Sequence, residues 1–399
     1  SQGGDWQFDD VKAIVGENRV VARGAISAGA DTEVVFSASG PDNSFLRAMT
    51  GLEGLPARPY EVSARIRPSR AGIELADARA SFGDHLIAVD GVVALEGGLI
   101  GTALSVNVSG PELRNIALLT DVPYLPAGPY DASARIAFDR AGLVLDRAEA
   151  SVGPLRATAD GNIGLRGNAG DFDLAVSASG PDLGSLAKFD LLERLSAEPF
   201  DVSARTRHKG DASEFESVEA QIGQLDAFID AEMRDDGSSA KIAFRGAAPD
   251  ARLLSRLLGI EALPDGAFSA DGRVEIRRDA LELTDSRLQI GGYRLAADGV
   301  LSTAPMKNDS DLTFSAAGPD LRRLLAAFDT DLFPARPFTL GGAFRGTPSG
   351  FAMRDFAATI GGSDVAGDFT ADFRAKPTIS GSLSSAYLDL SERLPAAEE

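Results

Sequence analysis

The tripeptide Gly40-Pro41-Asp42 returns as Gly110-Pro111-Glu112, Gly180-Pro181-Asp182, Ala248-Pro249-Asp250 and Gly318-Pro319-Asp320, with the prolines 70, 70, 68 and 70 positions apart. A period this regular means one structural unit copied along a line, so it constrains the fold before any single residue does. Other landmarks keep the register: Gly83, Gly153, Gly223, Gly291 and Gly361 in one series, Asp90, Asp160, Asp230, Asp298 and Asp368 in another. Leu55-Pro56 with Pro59-Tyr60 returns as Leu125-Pro126 with Pro129-Tyr130, and in weaker copies up to Phe333-Pro334 with Pro337-Phe338. Five copies of one arrangement point to a repeated surface rather than to five active sites.

One copy shows what the unit is made of. Pro111-Glu112 after Ser109-Gly110 is a helix start, and Leu113, Ile116 and Leu119 follow at helical spacing. Pro123 and Pro126 stop the helix after about ten residues. Then the period switches to two: Tyr130, Ala132, Ala134, Ile136 and Phe138 alternate with Asp131, Ser133, Arg135 and Asp139. That is a strand with one apolar and one wet face. Arg140-Ala141-Gly142 turns into a second strand ending at Val152, Gly153-Pro154 into a third over 155–165, and Gly167 to Gly170 into a fourth. Asp160-Gly161 is expected to interrupt the third strand as a bulge or bend.

The predicted fold is therefore mainly β with short helices. It is an elongated repeat array of about 70 residues per unit, one short helix plus four strands, forming one long curled antiparallel sheet of roughly twenty strands. The boundaries are 1–40 for a partial repeat, 41–110, 111–180, 181–248, 249–318 and 319–387 for five repeats, and 388–399 for the start of a further repeat or a tail, with Leu388-Asp389-Leu390 opening another helix. The residues 10–24 align with the middle of the next unit. The chain is accordingly expected to be cut from a longer protein with a membrane anchor upstream.

Such a sheet has an apolar face to hide. Strands of about 11 residues are roughly 36 Å long and four of them span roughly 19 Å, whereas a ten-residue helix is roughly 15 Å by 10 Å. The helix covers about a quarter of that face. Either the sheet curls into a filled core, or a second sheet packs on it, or a greasy guest occupies a trough.

Composition narrows the partners. A net charge of −20 leaves no basic footprint for nucleic acid. There is no cysteine, which excludes disulfides and thiolate metal sites. Two histidines, His85 and His208, fall at expected turns and read as surface residues; no nucleophile–base–orienter cluster is legible, so no catalytic residue, metal or cofactor is assigned and the chain is not expected to be an enzyme. One aspartate per 70 residues does not supply the oxygens of a calcium loop. Gly291-Gly292 and Gly361-Gly362 lack the helix and lysine of a phosphate loop.

The unit resembles that of the AsmA-like family of Gram-negative envelope proteins, which includes the TamB and YhdP relatives. The resemblance is carried by the strand Gly72-Ile73-Glu74-Leu75-Ala76-Asp77-Ala78-Arg79-Ala80 and its copy Gly142-Leu143-Val144-Leu145-Asp146-Arg147-Ala148, by the glycine and the Asp-Gly that follow, and by the ending Pro377-Thr378-Ile379-Ser380-Gly381-Ser382-Leu383 before Leu388-Asp389-Leu390. It implies a periplasmic bridge-like lipid carrier, anchored in the inner membrane, whose β-groove holds phospholipid acyl chains on their way between the inner and outer membranes in outer-membrane biogenesis. Outer-membrane or other envelope proteins are the further partners it implies. The groove would be lined by Tyr60, Val62, Ile66, Tyr130, Ile136, Phe138, Phe200, Val202, Phe268, Val274, Phe338 and Phe344. The alternative is a non-enzymatic structural or interaction protein of the envelope, a spacer or assembly helper with a dry core.

Overall fold

A computed structural model describes residues 6–27, 32–42, 58–95, 98–116, 125–165, 170–185, 197–260, 263–303, 309–326, 333–347, 349–374 and 377–389. Its packing divides the chain into two units, Ser1–Ala187 with Arg205–Gly210, and Lys188–Ala204 with Asp211–Glu399. Among the described residues the secondary structure is 23 strands, assigned to one antiparallel sheet that is not closed, with four short helical turns.

The first unit holds β1 (Trp6–Val15), β2 (Asn18–Ile26), β3 (Glu33–Gly40), β4 (Tyr60–Ser69), β5 (Gly72–Phe82), β6 (His85–Val93), β7 (Ala103–Gly110), β8 (Tyr130–Phe138), β9 (Gly142–Val152), β10 (Leu155–Gly164) and β11 (Phe172–Gly180). Each pairs with the next along the chain. β12 (Phe200–Lys209) is divided between the units. The second unit holds β13 (Ala212–Ile222), β14 (Leu225–Arg234), β15 (Ser239–Ala248), β16 (Phe268–Arg277), β17 (Ala280–Ile290), β18 (Tyr293–Ser302), β19 (Asp311–Gly318), β20 (Phe338–Thr347), β21 (Gly350–Ile360), β22 (Ser363–Asp372) and β23 (Thr378–Ser384), again paired in chain order. Where the connection is a turn of a few residues no other pairing is open, because so short a link cannot cross a strand.

The turn glycines show why those connections hold. Gly83, Gly153, Gly223, Gly291 and Gly361 sit at φ between 52° and 59°, the left-handed region that a side chain disfavours. Each donates its N–H to a carbonyl 24 residues earlier: Pro59, Pro129, Pro199, Ala267 and Pro337, at 2.7–2.9 Å. The turn of one hairpin is thereby tied to the residue just before the buried aromatic of its own first strand.

The interruption expected at Asp160-Gly161 lies instead in the preceding strand. β9 carries one residue more than its two partners between Leu145 and Ala148, a bulge against β8 and β10 alike. Its residue Arg147 takes φ 49°, and the equivalents Asp10, Asp77, Ser217, Asp285 and Asp355 take 47–52°. The aspartate series answers these bulges: Asp160 accepts the Arg147 N–H at 2.6 Å, and Asp90, Asp230, Asp298 and Asp368 accept those of Asp77, Ser217, Asp285 and Asp355 at 2.7–3.0 Å. A bulge frees one N–H from the ladder, and the carboxylate thirteen residues on satisfies it. The bulge has a second effect. It lets apolar residues at Leu143 and Leu145 share a face with those at Ala148 and Ala150, although the spacing between the two pairs is odd.

Among the described residues the helical elements are shorter than ten residues, and those ending at Ile116, Ser185 and Leu325 stop at, or one residue short of, residues that are not described. α1 (Arg252–Leu258) and α2 (Leu321–Leu325) are in the second unit, and single 3₁₀ turns occupy Leu113–Ile116 and Leu183–Ser185 in the first. Residues 43–57 and 117–124, where much of two expected helices falls, lie outside the described residues. The acid of the Pro-Asp/Glu pair accepts a backbone N–H two or three residues on: Glu112 from Arg114, Asp182 from Gly184, Asp250 from Arg252 and Asp320 from Arg323. Asp320 is the N-cap of α2, whereas the N-cap of α1 is Ala251. α2 lays Leu321 and Leu324 on Tyr293, Ala316 and Phe338 to form a buried cluster. Leu388 and Asp389 are not themselves helical, and 390–399, where the rest of that expected helix falls, lie outside the described residues; Tyr387 and Asp389 are bonded to Asp364 and Ser363 at the start of β22.

A candidate apolar lane on one face of the sheet

The register sorts every strand into an apolar and a polar face. In the first unit Val108, Ala132, Ala150, Ala157 and Ala178 stand directly opposite one another on β7 to β11. Beside them along the strands run Val106, Ala134, Ala148, Ala159 and Val176. The next row is larger: Leu104, Ile136, Leu145 and Leu174, with Gly161 between the last two. Beyond it come Phe138, Leu143, Ile163 and Phe172. The polar face carries the alternate residues, such as Asp131, Ser133, Arg135, Glu149 and Asp173.

Two adjacent rows of small side chains with larger ones beside them make a lane across the strands. Rows on one face are ~6.7 Å apart, and hydrocarbon chains pack at ~4 Å between carbons, so the two rows seat extended chains. A hollow of about 240 Å³ lies there, lined by Val106, Val108, Ala132, Ala134, Ala148, Ala150, Ala157 and Ala159 among others. Ala150 and Ala157 are exposed in its floor.

The other side of the lane is sealed. Tyr130, expected to line a groove, is 6 % exposed and forms this margin, and Tyr60, Phe200, Phe268 and Phe338, of which the same was expected, are 3–6 % exposed at the same position of their own strands. The glycine of the Gly-Pro-Asp series explains their seat. A Cβ at Gly110 would lie 2.3 Å from His85 Nδ1 and 2.8 Å from the Tyr130 ring, and one at Gly40 or Gly318 would meet Tyr60 or Tyr293 as closely. The ring lies on the bare backbone of the strand before it. At position 248, opposite Phe268, the residue is alanine, and the place of His85 and Tyr293 on the preceding strand is taken by Leu225.

His85 is a correction to its reading as a surface residue. It is 9 % exposed, stacks on Tyr130 at 5.9 Å and places Nδ1 3.0 Å from the Tyr130 hydroxyl. The Tyr60 hydroxyl bonds Asn18 Oδ1 at 3.1 Å. Burial pushes the phenols of Tyr60 and Tyr130 up from their ordinary range. These pairs satisfy buried polar atoms. His208 is half-buried, stacked on Phe172 at 5.5 Å.

The other expected lining residues, Val62, Ile66, Ile136, Phe138, Val202, Val274 and Phe344, are half-buried on the apolar face. Ile136 sits in the large row beside the lane, between Leu104 and Leu145. The sequence shows alanine to be abundant on the inward positions, which suits a narrow closed core; which of those positions lie side by side depends on the register across strands.

The polar face carries the charge. Across β13 to β17, Glu214, Glu232, Lys241, Glu275 and Glu282 stand opposite one another in one row, and a hollow of about 480 Å³ opens between them. Arg277 joins Glu275 at 2.8 Å and Glu282 at 3.0 Å. On β11, hydrogen bonds from Arg205 hold the Asp173 carboxyl below its usual range, with Arg207 adding to it. These pairs are exposed and contribute little stability each. Among the described residues no group of three metal-ligating side chains converges, and no helix is long and apolar enough to cross a membrane. No protein-family model, no curated protein and no solved structure matches the chain.

Proposed function

We propose that the lane carries the acyl chains of phospholipid, and that the chain is a non-enzymatic segment of an AsmA-like lipid conduit of the Gram-negative envelope. The observation that carries this reading is the alanine floor over β7 to β11, apolar along its length and open at Ala150 and Ala157. A domain core fills such positions with larger side chains. Here a hydrocarbon guest supplies the missing volume, and each CH₂ moved from water onto the floor gains ~0.8 kcal/mol. The head group stays in water beyond the large rows. Because the rows continue from strand to strand, a guest meets an equivalent surface at each step, and sliding along an array of ~70-residue helix-plus-four-strand units needs no chemical step. In this reading the segment works in the periplasm, tied to the inner membrane by an anchor beyond this sequence and meeting envelope proteins at its far end.

The test is a folded variant with a charge beside the floor. Ile136→Asp should abolish uptake of a fluorescent fatty acid while leaving the melting of the second unit in place. Undiminished uptake removes the lane from the mechanism.

A further inference from the structure

The lane is not the same in every copy. At the position just past the bulge, the first four copies have Ala78, Ala148, Val218 and Ser286; the fifth has Phe356. In the adjoining row the first four have Gly91, Gly161, Ala231 and Gly299; the fifth has Phe369. The first change puts a phenylalanine on the lane and the second puts one in the larger row beside it, and the two rings meet edge to face at 5.6 Å. Phe351 extends the contact, 6.1 Å from Phe369 and stacked at 5.4 Å on Phe344. Beneath them the floor is sealed. Ala358 occupies the repeat position of the exposed Ala150 and is 7 % exposed, and Met353, directly opposite Phe369, is 6 % exposed.

We propose that Phe356 and Phe369 are a stop: the chain's own rings occupy, on β21 and β22, the volume that a guest hydrocarbon occupies elsewhere. This rests on the lipid reading above and adds where the guest ends. Two phenylalanine side chains stand where alanine, valine or serine and glycine or alanine stand in the other copies, and a packed interior does not admit a second occupant without moving the first. The edge-to-face pair and the stack on Phe344 hold the rings in place by contacts that an acyl chain does not replace. A guest lying on the small-residue floor of β13 to β16, where Ala220, Ala227, Gly246 and Ala270 stand opposite one another, therefore does not continue over β21 and β22.

The test loads the purified chain with a phospholipid bearing a diazirine in its acyl chain, irradiates it and maps the adducts by mass spectrometry. The expected result is labelling within 132–159 and none within 350–372; in the double variant Phe356→Ala/Phe369→Gly, labelling appears within 350–372. Equal labelling of both segments in the unaltered chain overturns the stop and leaves the lipid reading standing. So does a folded double variant that still shows no label within 350–372. No adduct anywhere defeats the lipid reading and the stop with it. A second readout needs no lipid. The chain has no cysteine, so Ala150→Cys and Ala358→Cys each introduce a unique thiol. Maleimide should label the thiol at 150 and fail at 358, and the double variant should abolish that protection. A thiol at 358 as reactive as one at 150 also overturns the proposal.

Discussion

At the residue scale, the repeated aspartate and the repeated glycine each answer a need of the backbone. Asp160 holds the N–H that the bulge at Arg147 releases, and the same pairing recurs at a separation of thirteen residues in five copies. Asp160→Ala should therefore cost about 1 kcal/mol, the usual worth of such a bond, whereas Asp160→Asn keeps an acceptor and should cost less. Urea denaturation of the two variants checks this; equal losses would refute the assignment. Gly110→Ala presses a methyl into His85 and the Tyr130 ring and should destabilise by ~1–3 kcal/mol, the range for overpacking. Position 248 accepts alanine natively, so Ala248→Gly should change little. The sequence made the aspartates visible as a series and located them near a bend. It could not say that the bend is in the strand before, because the carboxylate acts across the hairpin and not on its own neighbours. His85 was misjudged for a related reason: its place after a turn suggested exposure, and only the Tyr130 ring from two strands away buries it.

At the element scale, the strands were legible and the helices less so. Alternation from Tyr130 to Phe138 and the turn residues at 140–142 and 153–154 placed β8, β9 and β10 within a residue or so of where they lie. Period-two patterning survives because one face stays polar. The helices of about ten residues rested on leucine spacing alone, and α1 and α2 are seven and five residues long. The last hairpin has a distinct chemistry. Backbone N–H groups of Ala386 and Tyr387 hold Asp364 below its ordinary range, and Arg374 together with Ser349 hold Asp372 below its own. A depressed folded pKa means stability that is present above the unfolded value of about 4 and is lost as pH falls through the folded one. The amides of Ala386 and Tyr387 should accordingly lose hydrogen-exchange protection only as pH falls below about 4, once intrinsic rates are corrected for, and before those of β17 and β18 do. Uniform loss across the second unit would contradict this.

At the scale of the whole chain, the account turns on where apolar side chains go once the strands are in register. The margin is closed by aromatics on bare glycine backbone, and α2 closes part of it further with Leu321 and Leu324. The middle of the face is left with alanine and valine in β7 to β11 and with phenylalanine in β20 to β22. The burial problem was legible from strand and helix dimensions, but its local solution was not, since it depends on which copy holds Ala148 and which Phe356. The most direct measurement is solvent extraction of the purified, folded chain followed by mass spectrometry of what it held. The account predicts co-purified phospholipid, lost in an Ala132→Asp/Ala150→Asp variant that melts as a folded protein. A folded chain that holds no lipid, and takes up none when offered vesicles, would contradict it.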